Sequence, residues 1–336
     1  MWKLTNRTPY AAERNWTRDK DGKHVWLVAV KATFDVALDG SLKLADEQPP
    51  PLLAPEFHGD PAATSLRYDS DLIAHKPGTD VVVNASAYAP GGKPATSVDV
   101  VLRMDNLTKH LVVHGERLYF EGLTGISTTP AQPFTVCPIL YEYAFGGSDL
   151  ADPDPSRQRM DARNPVGRGV AAKSDSLVHR PAHRIEYANG DAASAGPAGF
   201  GAIASHWMPR RELAGTYDAK WEQTKKPLLP DDYDPRSTLC SPDDQRSERW
   251  LRGGELVELL NVNKEGGLRF QVPRLYFTYT SRFGKRADEH RGHLATVIVE
   301  PDKRKVMAVY QTALPVKRKD TVYLDETIIQ EKPYVR

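Results

Sequence analysis

The chain has 336 residues, a length that suits one large domain or two ordinary ones. Hydrophobic residues make up 40% of it, which is enough for a core and excludes a disordered chain. The 45 basic and 44 acidic residues leave a formal net charge of +1. That balance lacks the basic surplus typical of nucleic-acid binders, and it also gives no strong attraction to an anionic membrane.

The cysteines and the N-terminus point to the cytoplasm. Cys137 and Cys240 lie far apart and are too few for a disulfide scaffold, so we expect two buried thiols in a reducing compartment. Residues 1–9 have no apolar stretch of the kind found in secretory signals. No window approaches the roughly 20 apolar residues that a membrane span needs. We therefore expect a cytoplasmic protein without a membrane partner.

The first 120 residues read as antiparallel strands with short connections. The segment His24–Val36 is rich in β-branched and aromatic residues, and its first half is apolar on both faces, which predicts a long strand that is central at its start. Asp39 and Gly40 follow as a hairpin turn. Further strands are predicted at residues 81–88, 97–104 and 110–120. Such a run is typical of a sandwich or a barrel.

The middle of the chain, residues 122–245, is crowded with Pro, Gly, Asp and Ser, and its periodicity is weak. Aromatic residues are spread through it, and they would be wasted in a solvated linker. We therefore expect an ordered, loop-rich region that its aromatic side chains pin to the β core. These aromatic residues are Phe134, Tyr141, Tyr143, Phe145, Phe200, Trp207, Tyr217, Trp221 and Tyr233.

Strands resume near the C-terminus, at residues 256–262, 268–272, 275–279, 294–300 and 306–311, whereas the charged residues 282–291 fit a loop or a short helix. No helical stripe exceeds about three turns. The predicted fold class is mainly β: an antiparallel β-sandwich or barrel-like core, a long, loop-rich, aromatic-anchored middle region and little helix. We expect one domain over residues 1–336, with a β part at 1–121, a loop-rich part at 122–250 and a second β part at 251–336.

No segment carries a recognisable catalytic motif. Gly92 and Lys93 lack the first glycine and the Ser or Thr of a phosphate-binding loop. Ser194 is soon followed by Pro197 and Gly199, which do not suit the helix of a nucleophile elbow. His179 and His183 are separated by a proline and lack the glutamate of a zinc motif. We therefore expect no catalytic residues, no cofactor and no metal.

Several ordered motifs resemble those of one bacterial family. They are DLIAHKPGTDVVVNASAYAPGGKP at 71–94, PILYEYAFGG at 138–147, NPVGRG at 164–169, GFGAI at 199–203, WMPR at 207–210, GTYD at 215–218, LPDDYD at 229–234 and PDDQ at 242–245. Together they make the chain resemble the family known as domain of unknown function 2169 over nearly its whole length. Members of that family are linked to type VI secretion systems.

The resemblance implies an adaptor or chaperone rather than an enzyme. Such a protein binds a cognate toxic effector in the cytoplasm and helps to load it on the spike, a VgrG protein tipped by a PAAR domain. Tyr, Trp and Arg are favoured anchors of protein interfaces. The candidate partner-binding residues within the motifs and beside them are Arg168, Trp207, Arg210, Tyr217 and Trp221.

Two other functions stay open at this point. Carboxylate pairs for glycoside hydrolysis meet only in space and leave no sequence signature, so a carbohydrate-active β-sandwich enzyme or binding module is one alternative. A structural component of the contractile injection apparatus is the other, and it predicts symmetric oligomers.

Overall fold

The computed structural model describes residues 2–74, 76–123, 125–247 and 249–333. His75, in the first motif, lies outside the described residues, as do residue 1 and residues 334–336 at the two ends of the predicted domain. Strands hold 42% of the residues and helices 12%, which confirms a mainly β fold. Within the described ranges, no helix combines the length and the apolar character that a membrane crossing requires.

The strands follow one another from end to end of the chain. They are β1 (Lys3–Asn6), β2 (Ala11–Arg18), β3 (His24–Val36), β4 (Leu42–Leu44), β5 (Glu56–Phe57), β6 (Leu66–Tyr68), β7 (Asp80–Val83), β8 (Ser86–Tyr88), β9 (Ser97–Met104), β10 (Leu107–His114), β11 (Tyr119–Gly122), β12 (Gly125–Thr128), β13 (Val136–Pro138), β14 (Phe145–Gly146), β15 (Ser148–Asp149), β16 (Arg159–Met160), β17 (Arg168–Gly169), β18 (Ile185–Tyr187), β19 (Leu256–Leu260), β20 (Gly267–Gln271), β21 (Phe277–Phe283), β22 (Arg286–Arg291), β23 (His293–Glu300), β24 (Lys305–Val316) and β25 (Leu324–Glu331).

Helices are short. The α-helices are α1 (Ala192–Ala195), α2 (Arg210–Leu213) and α3 (Ala219–Thr224). The 3-10 turns are Pro90–Gly92, Tyr141–Tyr143, Pro155–Arg157, Ser174–Leu177, Pro235–Thr238, Pro301–Lys303 and Arg318–Tyr323.

Three larger sheets carry the fold. A six-stranded sheet has the order β2-β3-β24-β23-β7, with β4 beside β3. A four-stranded sheet has the order β1-β25-β21-β22, and a five-stranded sheet has the order β18-β10-β9-β19-β20. Each order ends in edge strands, so the sheets are open and the barrel-like alternative is wrong. The remaining strands form two-stranded pairs, mostly in the loop-rich middle.

Strand β3 lies inside the six-stranded sheet, between β2 and β24, and its bounds agree with the prediction. Trp26, Val28 and Val30 face the main hydrophobic core, whereas Val25 and Leu27 face a smaller cluster on the other side. Burial on both faces explains why this stretch is almost continuously apolar rather than strictly alternating.

The sheets share one main core. It includes Trp26 of the six-stranded sheet, Tyr279 of the four-stranded sheet and Leu102 of the five-stranded sheet. Where the six-stranded and four-stranded sheets meet, the Trp26 Nε1–H donates to Thr327 Oγ1 at 2.9 Å. The indole thus keeps its polar atom satisfied while its ring stays buried.

Four sequence predictions need correction. Residues 81–88 divide into β7 and β8, and residues 110–120 divide into the end of β10 and the start of β11; in each case the two strands belong to different sheets. Residues 282–291 are the end of β21 and the whole of β22, because charged side chains suit an exposed edge strand. Not all pairing is antiparallel, since β1 lies parallel to β25, and β7 lies parallel to β23.

The loop-rich middle is fixed to the core by buried polar side chains as well as aromatic ones. Asn164 Nδ2 donates to the carbonyls of Tyr141 at 2.8 Å and Phe145 at 3.0 Å. Gln245 Nε2 donates to the carbonyls of Val81 and Phe200, both at 2.7 Å. These motif residues therefore satisfy backbone groups that loop structure would otherwise leave unpaired inside the protein.

Candidate partner-binding site

Strand β2 presents a free edge. It is the last strand of the six-stranded sheet, and within the described residues its only strand neighbour is β3, on one side. The backbone N–H groups of Arg14 and Trp16 donate to the side-chain oxygens of Glu13 at 2.9 Å and Asn15 at 2.8 Å. A backbone N–H that bonds to the side chain of the preceding residue is typical of an edge where no neighbouring strand supplies an acceptor. The outer edge of β2 can therefore accept another strand.

A groove lined by tryptophan lies against this edge. We name it the tryptophan groove; its volume is about 610 Å³, and its lining residues are Trp2, Glu13, Arg14, Asn15, Trp16, His24, Trp26 and Thr321.

The aromatic rings of the groove pack on one another in sequence. The ring centres of Trp16 and Trp26 are 4.9 Å apart, and those of Trp2 and Trp16 are 6.0 Å apart with an edge-on geometry. Trp26 is buried and forms the floor, whereas Trp2 keeps 42% of its surface exposed. An exposed, pre-organised indole beside an apolar floor is the kind of anchor that dominates protein interfaces.

The groove lies where two sheets meet. Trp2 precedes β1 of the four-stranded sheet, and Trp16 lies in β2 of the six-stranded sheet. Arg14 Nε donates to the Trp2 carbonyl at 2.7 Å and so ties the two segments together. Val322 and Tyr323, next to Thr321 of the groove, are also exposed. The result is an apolar surface held by two rigid frameworks.

The five predicted contact residues differ in how exposed their side chains are, and two of them are buried. Trp207 is 1% exposed, and it packs edge-on against Tyr141 with ring centres 5.9 Å apart. Arg210 is 5% exposed and pairs with Asp69 at 2.9 Å. Its guanidinium also donates to the carbonyls of Ser237 at 2.8 Å and Ile203 at 2.6 Å. Because both side chains are buried, we assign them to loop anchoring and do not retain them as contact residues.

Arg168 is half-buried. Its guanidinium lies 4.7 Å from the ring centre of Tyr143, and the guanidinium of Arg184 lies 5.5 Å from the same centre. The two cations thus share one aromatic ring in the loop-rich middle. This arrangement orders the NPVGRG loop against the 3-10 turn at Tyr141–Tyr143.

Tyr217 and Trp221 form a separate aromatic pair at helix α3. Their ring centres are 4.7 Å apart, and Tyr217 is 52% exposed. Trp221 Nε1 donates to the Leu228 carbonyl at 2.9 Å. Leu228 in turn packs on Gly22, in the hairpin that joins β2 to β3. The pair therefore stays a candidate contact, in a segment that touches that hairpin.

Sequence reasoning missed β2 and the tryptophan groove. The segment AAERNWTR does not alternate between apolar and polar residues. An edge strand whose one covered face is only half-buried needs few apolar side chains. The one feature of the sequence that could have pointed to the groove is the presence of two tryptophans, Trp2 and Trp16, in a polar N-terminal stretch.

One polar cluster resembles catalytic machinery more than the rest. Tyr119 Oη and His183 Nδ1 are 2.7 Å apart, and His183 Nε2 is 2.9 Å from Glu186 Oε1. Burial alone would raise the pKa of Glu186, but hydrogen bonds from His114, His183 and Arg117 hold it well below its ordinary value. Glu186 is thus an ionised acceptor, and the cluster ties β10 to β18. Among the residues that the structure describes, no group of three or more His, Cys, Asp or Glu side chains is placed to hold a metal.

Comparison with known proteins gives one match. A family model described as "Uncharacterized protein conserved in bacteria (DUF2169)" matches residues 21–311. Neither the curated proteins nor the solved structures contain a match. Since the matched region spans most of the chain, this protein belongs to the bacterial DUF2169 family.

Proposed function

We propose that the protein is an adaptor, or chaperone, of a type VI secretion system. It binds a cognate toxic effector in the cytoplasm and assists its loading onto the VgrG/PAAR spike. The observation that carries this proposal is the tryptophan groove beside the free edge of β2. The resemblance of the motifs to secretion-linked family members supports the same role.

The geometry fits binding by strand addition. A client segment adds to β2 through main-chain hydrogen bonds, and one of its apolar side chains enters the tryptophan groove. Each added hydrogen bond contributes about 0.5–1.5 kcal/mol net. An indole such as Trp2, once fully covered, contributes on the order of 2 kcal/mol or more. A few such contacts give tight but reversible binding, as a handover to the spike requires.

Strand addition also gives the proposed chaperone a mechanism. An unpaired strand or an apolar segment of an unassembled effector is prone to aggregate. Covering that segment with β2 removes both its free backbone groups and its apolar surface from solution. No covalent step is needed.

The test is a purification from the protein's own host under conditions in which the secretion system is expressed. Tagged wild type, Trp2→Ala and a control, Leu38→Ala, are purified, and co-purifying proteins are quantified by mass spectrometry. Leu38 is exposed in the turn between β3 and β4 and does not line the groove. We expect wild type and Leu38→Ala to recover one PAAR-bearing or VgrG-linked toxin at near-equal amounts. We expect Trp2→Ala to recover about tenfold less, which corresponds to about 1.4 kcal/mol.

Two results would count against the proposal. Wild type that recovers no toxin would remove the adaptor role. Equal recovery by Trp2→Ala and Leu38→Ala would mean that the toxin does not bind at the tryptophan groove.

A specific observation also favours the carbohydrate alternative as a second candidate. A cavity of about 760 Å³ is lined by the stacked pair Trp250 and His293, with ring centres 3.7 Å apart, and by the carboxylates Asp105 and Glu255. Three arginines, Arg249, Arg252 and Arg274, line it as well. Aromatic side chains with charged groups suit a small polar ligand, and two carboxylates serve glycoside hydrolysis when they lie roughly 5–10 Å apart. Release of reducing ends from a polysaccharide panel, abolished in Glu255→Gln, would favour this function; no release would exclude the hydrolase.

A further inference from the structure

A basic cleft continues from the tryptophan groove. Its volume is about 730 Å³, and His24 lines both cavities. The cations that line it are Arg18, Lys23, Lys317 and Arg318. We name this surface the basic cleft.

The basic cleft carries an unbalanced charge. The carboxylate in its lining belongs to Asp21, which already pairs with Lys20 at 2.8 Å and lies 3.6 Å from Lys23. Within the described parts of the chain, Arg18, Lys317 and Arg318 have no ion pair, and all three are exposed. The chain as a whole is almost neutral, so this is a local excess rather than a general property. Such an excess favours a partner that brings negative charge.

The register of β2 and β3 fixes the relation between the two surfaces. Trp16 lies opposite Trp26, and Arg18 lies opposite His24. Trp16 and Arg18 are two residues apart, so their side chains lie on the same face of β2, roughly 7 Å apart along the strand. A strand that adds to β2 has the same spacing. Two of its side chains that are two residues apart therefore face the groove and the cleft.

We infer that the segment bound at β2 is an extended acidic peptide strand, with a large apolar or aromatic side chain for the tryptophan groove and a carboxylate two residues away for the basic cleft. The inference rests on the proposed function, because it assigns the chemistry of the client segment at the same edge. A nucleic-acid strand would also match cations beside aromatic rings. We favour the peptide because the free edge of β2 offers main-chain hydrogen-bonding groups that match another β-strand.

Synthetic peptides test the inference without the effector. The probe is a labelled peptide of about eight residues, a common strand length. It alternates valine and threonine, with tryptophan at one valine position and aspartate two residues away. A second peptide has lysine in place of that aspartate. Binding to the full-length protein is measured by fluorescence anisotropy at low and at physiological salt.

Charge-reversal variants supply the controls. Arg18→Glu/Arg318→Glu changes the basic cleft, and Lys43→Glu/Lys93→Glu makes the same charge change at exposed lysines that line neither cavity. We expect wild type and the control variant to bind the aspartate peptide at least about tenfold more tightly than the lysine peptide. The Arg18→Glu/Arg318→Glu variant should reverse that preference. Thermal melting checks that all variants are folded.

Three outcomes would overturn the inference: no binding up to about millimolar peptide, equal binding of both peptides, or tighter binding of a single-stranded oligothymidine than of the aspartate peptide. The host purification separates this inference from the proposed function. If an effector is recovered but the peptides do not bind, the acidic-strand inference is wrong and the adaptor function stands. If the peptides bind with the expected preference but no effector is recovered, the acidic-strand inference stands and the adaptor function is wrong.

Discussion

Trp207 and Tyr217 belong to the same loop-rich region but have opposite environments. Trp207 is buried in the main core, whereas Tyr217 is about half exposed. We expect Trp207→Ala to lower the free energy of unfolding by about 3–5 kcal/mol, because a buried indole leaves a large cavity. Tyr217→Ala should change it by less than about 1 kcal/mol. Urea unfolding of both variants measures the difference, and a similar loss in both would mean that Tyr217 is also an anchor.

His290 gives the protein a specific pH dependence. Its Nε2 lies 2.9 Å from Ser281 Oγ, and its Nδ1 lies 2.8 Å from Thr312 Oγ1. Burial lowers the pKa of His290 from 6.5 to about 4. The unfolded chain therefore takes up this proton first as the pH falls, and the folded state loses stability between pH 6.5 and about 4.

The expected slope from His290 approaches about 1.4 kcal/mol per pH unit within that window. His290→Asn keeps polar atoms at the site but cannot titrate there. Urea unfolding at several pH values should show a shallower dependence in the variant. Identical slopes in the two proteins would show that His290 is not buried as a neutral ring.

At the scale of elements, β2 and β3 show what the sequence predicts well and what it does not. The bounds of β3 could be predicted because both of its faces are buried, which demands a long apolar run. β2 pairs with β3 along its whole length, yet its polar residues give no strand signal. Backbone bonds to β3 hold β2 along its length, and these do not depend on side-chain type. The two strands also meet through the side chains of Trp16 and Trp26.

The free edge of β2 makes its own prediction. Arg14→Pro removes an outward N–H that a client strand would use, and proline is tolerated on an outer edge. Arg14→Ala loses the same side chain, including its bond to the Trp2 carbonyl, but keeps the N–H. We expect Arg14→Pro to bind the effector at least about tenfold more weakly than Arg14→Ala, as measured by calorimetry on the purified complex partners. Equal affinities would mean that the client does not add to β2.

At the scale of the whole molecule, the candidate site arises from segments that are distant in the sequence. Trp2, Trp16 and Thr321 meet because β1 pairs with β25 and β2 pairs with β3 at the junction of two sheets. No local pattern encodes that meeting. The motifs that made the chain resemble its family instead contain anchors such as Asn164 and Gln245, which order loops. The sequence therefore indicated the family through residues that hold the scaffold together. The groove could be recognised only once the pairing of the strands in three dimensions was known.

We expect a client strand to add to β2 beside the tryptophan groove. Hydrogen–deuterium exchange of the protein, alone and in the complex recovered from its host, measures this addition at the backbone. Residues 11–18 should become protected in the complex, with the amides of Arg14 and Trp16 among them, while β3 is already protected in both states. Protection confined to residues 215–234, with exchange of residues 11–18 unchanged, would contradict it and place the client on the Tyr217 and Trp221 pair.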